Sequence, residues 1–458
     1  MKYELGKNSH FIQILALSII TLFVYMNGLQ AGFLAVDDTE TIKYIQSGNV
    51  SIIGQFLPHG NYYRPLAILS LLADFHLFGG NPAGYHLTNI LLHLANSLLV
   101  YYLANLLLGS DRNNGIYPFL AALLFALHPV NSEAVVWISA RPDLLCCFFL
   151  LLCMVLLIKK SSEMNLIVFM GIFLSFFFSL VSKEASLFLP FLSIVYFILE
   201  RENLSKQNAI AACGALCIAG VVYLLLRNGL PVESAAIAGT SINPENTAYS
   251  YIIDGTAAIG FYLRKLLYPF PLNIAITEIF TPISLCFFLL GCVAAIFLWK
   301  KEIFLRFPLA FLCTSLFPPL GALFLSLAWT PYAERYLYIP CVAFAICCAI
   351  FIRQFFGTIP RFVPIFCIML LIVPTTYRVK LWTRPIPFWQ DAVDKSPNFG
   401  TVQLVLAASY LQANRFDEAK HCLNSARQKG LPTETARNFS IKIDGLLSEK
   451  VRSYKLSE

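Results

Sequence analysis

Charge is what this sequence lacks. Asp, Glu, Lys and Arg make up 13% of its 458 residues, where soluble domains carry about 25%. Half the usual charge cannot cover the surface of a water-soluble protein of this size. Soluble enzyme, DNA-binding protein and disordered scaffold are therefore excluded. Apolar residues reach 58% and the mean hydropathy is +0.68, so lipid is the main solvent. Cysteine is scarce in the polar stretches: of 13, all but Cys422 fall in apolar runs. Neighbours such as Cys146/Cys147 and Cys347/Cys348 read as small apolar filler, and no disulfide framework or CxxC zinc pattern marks the polar loops. The formal net charge is +7. Its basic residues are scattered between apolar runs rather than lined along one stripe, which makes them a record of topology.

What is present is a series of long apolar runs. The first, 10–29, is too long for a signal-peptide core and lacks an A-x-A site, so it reads as a retained anchor. Runs at 83–108, 117–131, 144–158, 165–181, 185–199, 209–226, 282–299, 307–328, 336–352 and 362–375 bring the expectation to about eleven transmembrane helices. Lys159-Lys160, Arg201 with Lys206, Lys300-Lys301 with Arg306, and Arg353 with Arg361 fall on alternate connections, as cytoplasmic loops require. The N-terminus is then cytoplasmic and the C-terminus outside, and the cysteine usage fits a bacterial inner membrane. Two segments read as interfacial helices on the outer side: 249–268, which carries Asp254, Arg264 and Lys265, and the short 65–78.

The expected class is an all-α polytopic membrane protein, with a membrane domain at 1–377 and a small outer helical domain at 378–458. Outer loops at 30–82 and 227–281 are long enough to build a site. In the tail, Leu406, Ala407, Tyr410, Ala419, Leu423 and Ala426 match a tetratricopeptide unit, which packs small residues against large ones. Asn414-Arg415-Phe416-Asp417-Glu418-Ala419 supplies its turn and second helix. Pro432 sits one residue late, and Gln403 replaces the usual tryptophan. Flanking helices near Trp389 and Ile441 complete the fold, since one repeat is too few to stand alone.

The chemistry is sought among charges that topology does not explain. Asp37-Asp38 follow the first span closely. Adjacent carboxylates near an apolar boundary acquire raised pKa values, which suits a general base. A solvated helix cap and a metal site are the other readings. Asn61-Tyr62-Tyr63-Arg64-Pro65 sets an Arg between aromatics and Pro, as a snorkelling anchor or a phosphate ligand. His86, Asn89, His93 and Asn96 form a polar stripe on one helical face. The two histidines lie about 10 Å apart along the axis, too far for one ion, so interhelical hydrogen bonding is the better reading. Glu133, Arg141 and Asp143 lie in one segment between spans, Lys183 and Glu184 at an outer turn, and Glu334, Arg335 and Tyr338 at the start of another span. Both-sign charge gathered at one depth of a membrane lines a pathway or a site.

In order, the chain shows Asp-Asp, Tyr-Arg-Pro-Leu, Tyr-His-Leu-x-Asn, His-Pro-x-x-x-Glu-x-Val-x-Trp-Ile-x-x-Arg-x-Asp, Ser-Lys-Glu, Glu-Arg-Tyr-Leu-Tyr and a tetratricopeptide tail. That series resembles the GT-C glycosyltransferase superfamily, in particular the transmembrane and tetratricopeptide-repeat-containing protein O-mannosyltransferases (TMTC-like) and their bacterial counterparts. The resemblance implies the GT-C fold and inverting transfer of a sugar, mannose or another hexose, from a polyprenyl-phosphate carrier to an acceptor hydroxyl on the outer face. The acceptor expected is Ser or Thr of a protein, bound with help from the tail. Lipid or glycan acceptors, and a lipid-linked sugar flippase, are the alternatives. Asp37 would be the base and Asp38 its orienting neighbour. Arg64, Lys183, Arg264, Lys265 and Arg335 are candidates for the donor phosphate. Tyr63, His86, Glu133, Arg141, Asp143, Glu184, Glu334 and Tyr338 are candidates for the sugar and acceptor pocket, with a structural ion-pair network as the other reading of Glu133, Arg141 and Asp143. The sequence names no particular cofactor, a divalent metal is compatible with the chemistry, and nucleic acid is not an expected partner.

Overall fold

Apolar runs become helices here because lipid offers the backbone no hydrogen-bond partner, and a helix satisfies its N–H and C=O groups within one segment. The computed structural model describes residues 2–34, 37–48, 50–55, 63–108, 115–160, 163–200, 205–227, 248–324, 330–355, 360, 362–431 and 434–457. Arg201, Arg361, Pro432 and the polar stretch 228–247 lie outside the described residues.

Among the described residues, eight helical stretches are long and apolar enough to cross a membrane: Ser9–Gln30, Pro82–Leu108, Ile138–Lys159, Lys206–Arg227, Thr281–Lys301, Ile303–Gly321, Glu334–Phe355 and Phe362–Trp382. The chain is an integral, polytopic, all-α membrane protein, and its only described strand-like pairing is an isolated bridge between Ile276 and Tyr332. The three other expected spans are shorter helices, Ile116–Leu127, Leu166–Ser182 and Glu184–Leu199. Ile116–Leu127 shows why. Its run was expected to continue to residue 131, but His128 turns extended (ψ 124°) ahead of Pro129, and Asn131–Val136 begins a new helix. Twelve residues reach about 18 Å, short of the roughly 30 Å hydrocarbon layer. Nine of its twelve residues are buried, packed against Pro82–Leu108 and Tyr338–Phe355. It is a core helix of the bundle.

The bundle has two chemically distinct ends. At one, Arg353 donates to the Leu108 carbonyl (2.8 Å) and Lys159 to the Tyr102 hydroxyl (2.5 Å). Lys301 sits 4.9 Å from the centre of the Phe355 ring. Three of the four alternate basic connections thus converge in space. At the other end lie the buried ion pairs described below.

Pro65–Phe78 is a 14-residue helix laid against Pro82–Leu108, too short to cross. Ala248–Leu267 is not among the eight candidate spans and runs against Thr281–Lys301. Gly260 permits that approach, since a Cβ there would fall 1.8 Å from the Ser284 carbonyl oxygen.

Among the described residues, the tail holds four helices, Pro385–Lys395, Gly400–Gln412, Phe416–Gln428 and Glu434–Ser457. The middle two form a hairpin through Asn414, whose φ of 57° supplies the turn. Leu406, Ala407, Ala419, Leu423 and Ala426 are buried between them, as their spacing predicts, and Tyr410 is half-buried. Gly400 lies so close to the far end of the hairpin that a Cβ would come within 2.6 Å of the Gly430 carbonyl. The helices expected near Trp389 and Ile441 flank the pair. Trp382 of the last span meets Phe388 with ring centres 4.4 Å apart, and Arg378 pairs with Asp391 (2.9 Å). Tail and membrane bundle therefore share one continuous apolar core.

Candidate active site

Asp37 and Asp38 end a short connection that returns from the first span. Asp38 begins the helix Asp38–Gln46 and is buried. Its carboxylate accepts from the Leu34 N–H (3.0 Å), the Ser139 N–H (2.9 Å) and the Ser139 hydroxyl. Burial pushes this carboxyl up to about 7, although the Ser139 and Leu34 hydrogen bonds oppose the shift. Asp38 thereby ties the loop after the first span to the 138–140 turn. Its neighbour is freed to point elsewhere. Asp37 has φ 58° and ψ −48°, a region that side-chain-bearing residues rarely adopt and that marks stored backbone strain. Its side chain is exposed to a cavity, where the surrounding protein mass raises its carboxyl above the ordinary range. Arg335 and Arg64 pull it down, and Glu40 pushes it up.

The cavity measures about 870 Å³. Asp37, Arg64, Asp143, Lys183, Glu184 and Arg335 line it together, although they come from five separate parts of the chain. Three of its cations are paired: Arg64 with Glu184 (2.8 Å), Lys183 with Asp143 (2.6 Å), and Arg335 with Glu133 (2.5 Å). Arg335 also lies 4.9 Å from the ring centres of Trp137 and Tyr336, while Lys183 is 5.2 Å from Tyr336. The rings hold the cations by their faces and keep water from one side. An apolar part of the wall includes Phe188, Ile339, Leu187 and Phe317, the last two exposed on the bundle's outer surface. A fixed group of cations beside a carboxylate and an apolar wall suits an amphiphilic anion with a reacting centre near the carboxylate.

Not all of the expected residues reach this cavity. Asp38, Tyr63, His86, Glu133, Arg141, Arg264, Lys265, Glu334 and Tyr338 do not line it. Glu133 stands behind Arg335, accepting from its guanidinium and from the N–H groups of Glu334 (3.0 Å) and Arg335 (3.2 Å). Arg141 is fully buried, bound to Asp74, to Asn89 Oδ1 (2.7 Å), to the Tyr85 carbonyl (2.7 Å) and to Ser70 Oγ (3.2 Å). Lys265 is buried against Glu334 (2.8 Å), and Arg264 donates to the Phe270 carbonyl (3.2 Å). Tyr338 joins His93 (2.7 Å) and Asn96 (3.1 Å), so the polar stripe of Pro82–Leu108 does bond between helices. His86 is buried within that same helix, and Tyr63 rests against Tyr223, 6.0 Å between ring centres. None of these groups lines the cavity.

Glu40, Trp137, Ser139, Arg227 and Tyr336 also line the cavity and were not singled out as site residues. Trp137, Ser139 and Tyr336 lie inside motifs whose charged members drew attention. Arg227 ends a span, where a charged residue facing water draws no notice. Among the described residues, no three His, Cys, Asp or Glu side chains gather at metal-ligand spacing, so no ligand set for a divalent ion stands out.

No family model matches this sequence. Curated relatives do: the human protein O-mannosyl-transferase TMTC2 is 36% identical over an alignment of 140 positions that covers 28% of this chain and 16% of that protein. The human protein O-mannosyl-transferase TMTC4 is 42% identical over 94 residues, 18% of this chain and 13% of its own length. The aligned stretches thus span less than a fifth of either relative. Among solved structures, ArnT from Cupriavidus metallidurans, crystallised bound to undecaprenyl phosphate, aligns at a TM-score of 0.42 with 13% identity, covering 96% of this chain and 77% of that one.

Proposed function

We propose that this chain is an inverting membrane glycosyltransferase with the GT-C architecture, transferring a hexose from a polyprenyl-phosphate carrier to a hydroxyl of a protein. Its curated relatives are named protein O-mannosyl-transferases, so mannose is the sugar and Ser or Thr the acceptor to test first. The observation that carries the proposal is the shared cavity, in which Asp37 faces Arg64, Lys183 and Arg335 beside an apolar wall.

The chemistry follows from these groups. The acceptor oxygen attacks the anomeric carbon as Asp37 takes its proton. The bond from that carbon to the phosphate oxygen breaks on the opposite side, which inverts the centre. The lipid phosphate leaves as an anion, so it needs charge stabilisation and no general acid. Arg64, Lys183 and Arg335 are the cations in place to supply it. The apolar wall with Leu187 and Phe317 suits the first isoprene units of the carrier. By the positive-inside rule the basic end is cytoplasmic, which puts the cavity and the tail on the outer face. The tail hairpin is tetratricopeptide-like and offers a surface for a protein acceptor or partner.

The test uses the purified protein with a polyprenyl-phosphate hexose and Ser/Thr peptides, reading hexose addition by mass. Asp37→Asn should lower turnover by about a hundredfold or more, the range for loss of a general base, while leaving thermal stability near that of the parent chain. Full turnover by the variant would overturn the assignment of the base.

A further inference from the structure

One wall of the cavity is tied to the tail by an unbroken series of buried polar contacts. Arg335 lines the cavity, and Glu334 beside it points the other way. Glu334 Oε1 accepts from Lys265 (2.8 Å) and from the Asn273 N–H (2.9 Å). The Asn273 side chain donates to Ser396 Oγ (2.9 Å) and to the Ala275 carbonyl (3.2 Å). Ser396 in turn donates to the Ala275 carbonyl and caps the C-terminal end of the first tail helix, Pro385–Lys395. Lys395 adds a bond to the Leu272 carbonyl (2.8 Å). The bridge between Ile276 and Tyr332 fastens the same loop to the strand-like segment leading into Glu334. Asn273, Ser396, Glu334 and Lys265 are all buried, so water offers no ready replacement for a lost partner.

We infer that Asn273 and Ser396 are positioning residues for Arg335, so that docking of the first tail helix sets the geometry of the cavity's cation wall. The inference rests on the reading that Arg335 holds the donor phosphate. Neither residue lines the cavity, and their effect passes through the 269–276 loop and the backbone of Glu334-Arg335. The tail is then part of the donor site's support as well as an outer surface.

A double-mutant cycle in the full-length protein tests this, with binding of a short-chain polyprenyl phosphate in detergent as the readout. Ser396→Ala should weaken binding about threefold to tenfold, the size of one lost buried hydrogen bond. Ser396→Thr, which keeps the hydroxyl, should restore it. In an Arg335→Gln background the Ser396→Ala change should add nothing, because the cation it positions is gone. A purely structural effect would instead persist at full size in that background, and such a result overturns the inference. Unchanged binding by Ser396→Ala also overturns it. If Arg335→Gln itself binds like the parent, the phosphate reading of Arg335 fails and the inference with it. Should Ser396→Ala fail to fold, Ser396→Cys keeps the size of the side chain and supports the same comparison.

Discussion

Asp38 holds its proton more tightly in the folded chain than a free aspartate does, because burial raises its carboxyl from 3.8 to about 7. The sign of the consequence follows. The folded state binds the extra proton, so the stability tied to this group is fully present below 3.8 and is lost as pH rises through about 7. Asp38→Asn should flatten the melting temperature against pH across that window, and a profile parallel to the parent's would contradict the assignment. Asp37 obeys a different requirement, since a base must be ionised. Its carboxyl is raised by desolvation and lowered by Arg335 and Arg64. Turnover should fall on acidification through a midpoint above the ordinary carboxylate range, and Arg335→Gln should move that midpoint higher. A pH–rate profile of residual activity reads both effects. The Asp-Asp pair itself was legible in the sequence. The division between a buried tie and an exposed carboxylate was not, because it depends on Ser139, a hundred residues away, and on the unusual backbone at Asp37.

Among the elements, Pro65–Phe78 brings Arg64 to the cavity, and Arg141 fixes it in place through Asp74 and Ser70. Both partners of that ion pair are buried. Removing one leaves an uncompensated charge, at a cost of about 3–5 kcal/mol. Arg141→Ala should therefore accumulate poorly and melt lower, whereas Arg141→Met with Asp74→Leu should recover much of the loss. Thermal unfolding of the three proteins in detergent separates these outcomes. Hydropathy located this short helix and its failure to cross. It left Arg141 open between a sugar pocket and a structural ion-pair network, because a charge in an apolar context looks functional until its partner is found. Asp74, the partner, sits in a helix otherwise dominated by Leu and Ala and gave no motif. The same holds for Glu133, whose role behind Arg335 depends on a contact across 202 positions.

For the whole molecule, the charge scarcity that makes lipid the solvent also makes the two ends of the bundle readable. All eleven expected spans correspond to helices, eight of them of crossing length. Ile116–Leu127 stops where His128 turns extended ahead of Pro129, and Leu166–Ser182 stops where Lys183 turns extended, breaks that run length alone does not register. The basic end groups Lys159, Lys301 and Arg353, and the opposite end holds the cavity. Reporter fusions should place the connection around Glu302 in the cytoplasm and the tail around Glu418 outside, and the reverse pattern would invert the proposed orientation. The tail hairpin was visible from its small-residue spacing. Its fusion to the membrane core through Trp382, Phe388 and Ser396 was not, since those residues carry no repeat signature.

The central claim is that this chain moves a hexose from a lipid phosphate onto protein at the cavity holding Asp37. Its most direct test is peptide-level mass spectrometry of outer-side proteins from cells lacking the gene and complemented with the parent chain or with Asp37→Asn. A hexose on specific Ser or Thr residues, present with the parent chain and missing with the variant, is the predicted result. Identical modification in both strains, or in neither, would contradict it.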